Sequence, residues 1–129
     1  MTAPFIHVAT YKIKEGKLED YAKLWRGLVE FVQANEPRLL VFHTYVNEGG
    51  TEGTTIQVHP DAESMEFHMK VASARILEGY PLLETIESIN VYGTLTEGVR
   101  EMYTKTAGPG VAVNVKPRHL GGFTRLTAG

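Results

Sequence analysis

The sequence predicts an α+β fold in which two helices cover one face of a four-stranded antiparallel sheet. Two observations support this prediction. The hydrophobic pattern switches between the strand period and the helix period in the order β-α-β-β-α-β. A Gly-rich polar loop joins the second and third strands, as in a hairpin. Two helices that cross one face of a four-stranded antiparallel sheet, with the elements in this order, form the split β-α-β, or ferredoxin-like, arrangement.

Length and composition restrict the class of protein. The chain has 129 residues, which is the size of one domain. It carries 13 Lys and Arg against 15 Asp and Glu, a net charge of −2, and shows no basic cluster for nucleic acid. No segment has the ~20 apolar residues of a membrane span, and the N-terminus lacks the features of a signal peptide, so we expect a cytoplasmic protein. The absence of Cys excludes disulfides, thiolate catalysis and Cys-ligated metals.

The first half of the chain predicts a strand, a helix and a hairpin. Residues 5–13 are β-branched and aromatic, which favours a strand. From Lys17, apolar residues recur at three- and four-residue steps and predict an amphipathic helix. The helix should end near Asn35, because a proline two residues later disfavours helical backbone at the residue between them. Residues 38–47 and 53–59 predict the two strands of the hairpin.

The second half predicts a helix, a strand and an extension. Residues 61–77 carry a helical apolar stripe, with Asp61 as N-cap, and residues 86–93 read as the fourth strand. We therefore assign residues 1–95 to the ferredoxin-like domain. Residues 96–129 form a C-terminal extension of a short helix (96–104), a strand (111–115) and a Gly-rich tail. Because the tail carries Leu120, Phe123 and Leu126, we expect it to dock on the same domain or on a partner subunit.

The predicted sheet leaves one face without helices. In the second strand, both alternating sets of side chains contain large apolar residues, Leu40 and Phe42 on one side and Leu39 and Val41 on the other. An apolar sheet face exposed to water is unfavourable. We therefore expect a homodimer through the sheet face, with the apolar tail allowing a larger homo-oligomer.

His68 is the strongest candidate for a catalytic residue. It lies on the second helix beside the apolar stripe of Met65, Met69 and Ala72. A base that titrates near neutrality is useful at the wall of a pocket. The alternative is a half-buried histidine that bonds a backbone carbonyl or water. The histidines are scattered, and none has a metal-ligating partner at i, i+4 on a helix, so no metal site is predicted.

Other side chains are candidates for shaping a small-molecule pocket, although each also has a purely structural interpretation. Trp25 lies on the apolar stripe of the first helix, where core packing is the ordinary role, and strand tyrosines usually pack their rings. The candidate substrate-binding residues are Tyr45, Trp25, His43, Gln57 and Tyr92.

The segment from Ile56 to His68, IQVHPDAESMEFH, resembles the signature region of the antibiotic biosynthesis monooxygenase-like family. In that family a strand runs into a turn with an Asp or Ser cap, and a helical His follows seven residues after the cap, here Asp61 and His68. The resemblance covers about residues 5–94. It implies a ferredoxin-like subunit that pairs through its sheet into a dimeric α/β barrel, with a pocket between helices and sheet.

The resemblance also implies an activity. Enzymes of this family oxidise polyphenols, anthrones or quinols with O₂ and without a bound metal or flavin, so no cofactor is expected. His68 would then be the base of a cofactor-independent monooxygenase acting on an aromatic, phenolic or polyketide-like compound. Three alternatives stay open. Gln57 stands where many members have Glu, and Ser73 where many have a second His, which favours a small-molecule binding protein. A non-oxidative isomerase or cyclase and a structural protein without a pocket are the others.

Overall fold

The structure, a computed structural model, describes residues 3–107 and 110–125. Its strands are β1 (Phe5–Ile13), β2 (Val41–Val46), β3 (Glu52–His59), β4 (Leu83–Tyr92) and β5 (Val113–Lys116), and its helices are α1 (Leu18–Asn35), α2 (Ala62–Gly79) and α3 (Glu97–Ala107). A 3₁₀ turn, Tyr80–Leu82, joins α2 to β4.

The five strands form one mixed sheet in the order β2-β3-β1-β4-β5. The first four strands pair antiparallel, with β1 between β3 and β4, and this confirms the split β-α-β fold. β5 comes from the extension and pairs with β4 in parallel. α3 packs against α2 and adds buried Val99 and Tyr103 to the core between helices and sheet.

Local sequence signals explain where the helices begin and end. The Asp61 carboxylate accepts a hydrogen bond from the Ser64 N–H at 2.9 Å, so Asp61 caps α2 as predicted. α1 ends at Asn35 because Glu36, which precedes Pro37, leaves the helical conformation (φ −127°, ψ 80°). β4 begins at Leu83 and not at residue 86, since the turn containing Pro81 runs directly into the strand.

Alternation along the strands separates an inner face, which meets the helices, from an outer face. In β3 the inner residues are buried, and the outer residues are only partly covered. The apolar side chains on the outer face are Ile6, Val8, Val41, Ile56 and Val58. Nothing in the described part of the chain covers them fully, because each remains of intermediate exposure.

The described large apolar side chains at the end of the extension are exposed. Leu120 is 91% exposed and Phe123 is 79% exposed. Leu126, the third apolar residue of the predicted tail, lies outside the described residues. The division into a domain of residues 1–95 and an extension of residues 96–129, and the surface on which the tail docks, stay predictions.

Candidate functional site

A small cavity of about 50 Å³ lies between the inner face of the sheet and the helices. Its wall contains polar groups from β1 (His7), β3 (Gln57), α2 (His68) and α3 (Tyr103). The remaining wall is mostly apolar or aromatic and includes Trp25. A cavity that holds benzene measures about 150 Å³, so this one has room for one or two water-sized molecules and not for a ring.

The central feature of the wall is a buried histidine–carboxylate pair. His68 Nδ1 lies 2.9 Å from Glu36 Oε1 and 3.0 Å from Oε2, and both side chains are almost fully buried. Because a carboxylate only accepts hydrogen bonds, Nδ1 carries a proton and donates a hydrogen bond to Glu36. Nε2 is on the opposite edge of the ring and is the nitrogen left for a ligand. A histidine oriented by a carboxylate in this way is a common general base.

Glu36 reaches this position because of local backbone structure. The carboxylate follows the last turn of α1, where the helix dipole disfavours negative charge. It is also buried, with 4% of the residue exposed. A buried carboxylate is tolerated only when it is paired, and His68 is the partner that the fold supplies. Glu36 was not among the site residues predicted from the sequence, although its position immediately before Pro37 indicated that it would leave the helix.

A second histidine, His7, forms another part of the wall. Its Nδ1 lies 2.6 Å from the Tyr103 hydroxyl, and the two rings stack with an interplanar angle of 2°. Burial, with a smaller contribution from the positive charge that His68 carries when it is protonated, lowers the pKa of His7 to about 3. Burial also raises the pKa of the Tyr103 hydroxyl above its usual range. Both groups are therefore neutral at pH 7. Because a buried O–H needs an acceptor and His7 Nδ1 is the hydrogen-bond partner that the structure gives to the Tyr103 hydroxyl, the tyrosine donates and Nδ1 accepts. The extension thus completes the cavity.

His59 does not line the cavity but contacts Gln57, which does. Its Nδ1 is 2.7 Å from Ser64 Oγ and its Nε2 is 2.9 Å from Gln57 Oε1. Its ring centroid is 6.0 Å from that of His68. Burial, followed by the positive charge that His68 carries when it is protonated, lowers the pKa of His59 to about 3, so this imidazole is neutral at pH 7. His7, His59 and Ser64 were not singled out from the sequence, because only the register of the sheet brings them together.

The sequence-predicted site residues fall into two groups. His68, Gln57 and Trp25 line the cavity. Tyr45 and His43 instead lie on the outer sheet face, with ring centroids 6.3 Å apart, and Tyr45 is 62% exposed. Strand alternation explains the difference, because Phe42, next to His43, takes the inner position opposite Gln57.

Tyr92 also points away from the cavity. It lies at the end of β4, with the Lys116 ammonium 5.9 Å from its ring centroid, and borders an open groove of about 1210 Å³. The groove lies between the first residues of α2 and the extended segment 117–125. It is larger than the cavity but is bordered mainly by exposed side chains, whereas the cavity joins several buried titratable groups. We therefore take the cavity as the candidate site.

The described residues contain neither a cluster suited to a metal ion nor a helix that could span a membrane. No cluster of three or more His, Cys, Asp or Glu side chains is arranged to hold a metal ion within residues 3–107 and 110–125. None of the described helices is long and apolar enough to cross a membrane.

The fold and the cavity define a class: a small ferredoxin-like protein with a buried histidine–carboxylate pair between its sheet and its helices. The sequence model of the family described as antibiotic biosynthesis monooxygenase matches residues 4–75. The chain belongs to this family, as its sequence indicated. No curated protein matches the sequence.

Solved structures confirm the fold. MupZ from Pseudomonas fluorescens is 20% identical and superimposes with a TM-score of 0.72, with 96% of each chain covered. A conserved protein from Methanosarcina mazei Go1 is 19% identical, with a TM-score of 0.62 over 69% of this chain and 90% of the other. The structure of an antibiotic biosynthesis monooxygenase is 17% identical, with a TM-score of 0.62 over 71% of this chain and 99% of that one. Of these three, the MupZ match extends through most of the C-terminal extension.

Proposed function

We propose that this protein is a cofactor-independent monooxygenase that oxidises an electron-rich phenolic or polyketide-like compound with O₂. The observation that carries the proposal is the buried His68–Glu36 pair at the wall of the cavity. Membership in the monooxygenase family supports the reaction type. The protein's task in such a reaction is to remove a proton, keep the ionised compound dry and admit O₂.

The chemistry balances without a cofactor when the substrate supplies all the electrons. His68 Nε2 takes a proton from an activated CH₂ group, or from the phenol tautomer of that group, and the resulting anion adds O₂ to form a C–O bond. The His68 imidazolium returns the proton to give a hydroperoxide on the same carbon. Loss of the remaining C–H proton and cleavage of the O–O bond then release one oxygen atom as water and leave the other as a carbonyl, so the CH₂ carbon loses four electrons and O₂ gains them. Glu36 stabilises the imidazolium that forms when His68 accepts the proton.

The cavity has to enlarge before it can hold a ring. α3 is the wall that we propose to move, since it comes from the extension and is held by few polar contacts. The Tyr80 hydroxyl donates to the Thr106 carbonyl at 2.8 Å, and Tyr103 contacts His7 at 2.6 Å. A phenolic ligand that displaces the Tyr103 hydroxyl can replace it as the donor to His7.

A non-oxidative isomerase or cyclase is the second candidate. A histidine–carboxylate pair by itself can carry out proton transfer, and nothing in its geometry depends on O₂. A protein that binds the compound without turnover is the third. Reactions with a panel of anthrones, naphthols and linear hydroxyketones, run in air and under argon, separate the three. We expect oxygenated products and O₂ uptake in air alone. Equal turnover under argon would establish the second candidate, and binding without product the third.

We also propose that a second copy of the chain covers the outer sheet face and that the dimer is the functional unit. The partly exposed apolar residues of that face support the proposal. Sedimentation equilibrium should give a dimer, and Val8→Lys should shift it to monomer while Lys23→Ala, a change on an exposed position of α1, should not. A wild-type monomer at micromolar concentration would refute this assembly.

A further inference from the structure

A chain of three buried side chains leads from the start of α2 to the cavity. His59 is 0% exposed, Ser64 2% and Gln57 4%. His59 lies between the other two, with Nδ1 at 2.7 Å from Ser64 Oγ and Nε2 at 2.9 Å from Gln57 Oε1. The proposed proton transfer between His68 and a substrate does not use these contacts, so their function needs a separate explanation.

The direction of the hydrogen bonds follows from the Ser64 hydroxyl. Its proton needs an acceptor, because a buried O–H without one is costly. Among the described residues, His59 Nδ1 is the hydrogen-bond partner that the structure gives to Ser64 Oγ. Ser64 therefore donates, Nδ1 is the bare nitrogen, and the single ring proton of neutral His59 is on Nε2. The Nε2–H group donates a hydrogen bond to Gln57 Oε1.

The hydrogen bond from His59 fixes the orientation of the Gln57 amide. With its carbonyl oxygen bound to His59, the amide presents its NH₂ group on the other side. Gln57 is on the inner face of the sheet, opposite His7 in β1, and lines the same cavity as His68. The cavity wall thus holds a neutral hydrogen-bond donor together with the histidine that we propose as the base.

We infer that Ser64 and His59 are positioning residues that fix the Gln57 amide, and that Gln57 donates a hydrogen bond to an acceptor oxygen of the ligand. The inference rests on the proposed function in one respect, that the ligand occupies this cavity. It narrows the ligand to compounds with a carbonyl or phenolate oxygen conjugated to the atom that loses the proton. Charge that develops on this oxygen is stabilised by the NH₂ group. A carboxylate at position 57 would be an acceptor and would repel the same charge.

The first test examines the hydrogen-bonded relay, by which we mean the chain Ser64–His59–Gln57, without any ligand. Long-range ¹H–¹⁵N correlation spectra of the ¹⁵N-histidine-labelled protein report which nitrogen of His59 is protonated. We expect the neutral Nε2–H form at pH 7 in the wild type and in Ser64→Thr, which keeps a hydroxyl. Ser64→Ala should shift the Nδ1 resonance towards the value of a nitrogen without a hydrogen bond. A His59 ring protonated on Nδ1, or on both nitrogens, would overturn the relay, and the wild-type spectrum alone decides this.

The second test examines the donor with a matched pair of probes. Binding of 1,4-naphthoquinone, which has acceptor oxygens, is compared with binding of naphthalene, which has none. Gln57→Leu should weaken quinone binding about three- to tenfold and leave naphthalene binding unchanged. Equal weakening of both would mean that Gln57 only shapes the cavity, and this result would refute its role as donor. If wild type binds neither probe, the cavity as ligand site, and with it the proposed function, is contradicted, whereas the ¹⁵N result still decides the relay.

Discussion

Two buried histidines, His7 and His59, should make the stability of this protein depend on pH between neutrality and mild acid. Burial lowers the pKa of each to about 3, against 6.5 in the unfolded chain. Between these values the unfolded state binds more protons than the folded state. The free energy of unfolding therefore decreases as the pH falls from 6.5 towards 3.

The magnitude follows from the linkage relation. For one histidine whose native form stays neutral, the loss between pH 6.5 and pH 5 is about 1.7 kcal/mol, so the two together remove about 3 kcal/mol. That is a large part of the typical total stability of a domain, about 5–15 kcal/mol. The window ends at pH 5, before most carboxylates titrate.

Urea unfolding at pH steps of 0.5 measures this dependence. His59→Gln should reduce the loss between pH 6.5 and pH 5 by about half of the two-histidine contribution, whatever it does to stability at pH 7. His119→Gln, a change at an exposed histidine of the tail, is the matched control and should leave the loss unchanged. If the wild type loses less than about 1 kcal/mol of its free energy of unfolding between pH 6.5 and pH 5, or if His59→Gln does not reduce this loss, the conclusion that the two buried histidines are neutral is refuted.

Two further substitutions test packing, the first at the cavity and the second between β3 and α1. Tyr103→Phe removes the hydroxyl that lies 2.6 Å from His7 and should lower the free energy of unfolding by about 1–3 kcal/mol; a loss near zero in urea unfolding would mean that His7 finds another partner. Gly53→Ala places a methyl group against the buried Tyr21 hydroxyl and should cost about 1–3 kcal/mol. Gly27→Ala, within α1 and with open space around its Cβ, is the control and should stabilise by about 0.5–1 kcal/mol, whereas similar effects of both changes would contradict the described packing.

Much of the fold is predictable because its signals are local. Periodicity and hairpin chemistry predicted the order of the first six elements, Pro37 predicted the end of α1, and Asp61 predicted the start of α2. The strand limits were less accurate: β4 begins at Leu83 and β2 is shorter than expected. The parallel pairing of β5 with β4 had no local signal, since it depends on how the extension returns to the sheet.

The candidate site was harder to predict because its contacts are distant in sequence. His68 was recognised from its place on the apolar side of a helix, and the structure buries it deeper than the half-buried alternative assumed. Its partner Glu36 is 32 residues away, and His7 is 96 residues from Tyr103. Sheet register and helix packing create these pairs, and neither can be derived from the spacing of the residues.

Which face of the sheet meets the helices was also not predictable from the sequence. Alternation alone could not say which set of β2 side chains meets the helices. The structure places Phe42 inside and both His43 and Tyr45 outside. A role for these two residues in substrate binding would therefore need a partner copy or another ligand at the outer face.

The most direct test of the central claim, that the His68–Glu36 pair carries the chemistry, is the turnover of His68→Gln on a substrate identified from the compound panel. Gln keeps polar volume at position 68 but cannot accept a proton. We predict a kcat about 10²–10⁴-fold below wild type, with the folded state confirmed by urea unfolding and with His119→Gln unchanged. A folded His68→Gln protein that retains wild-type kcat would contradict the account.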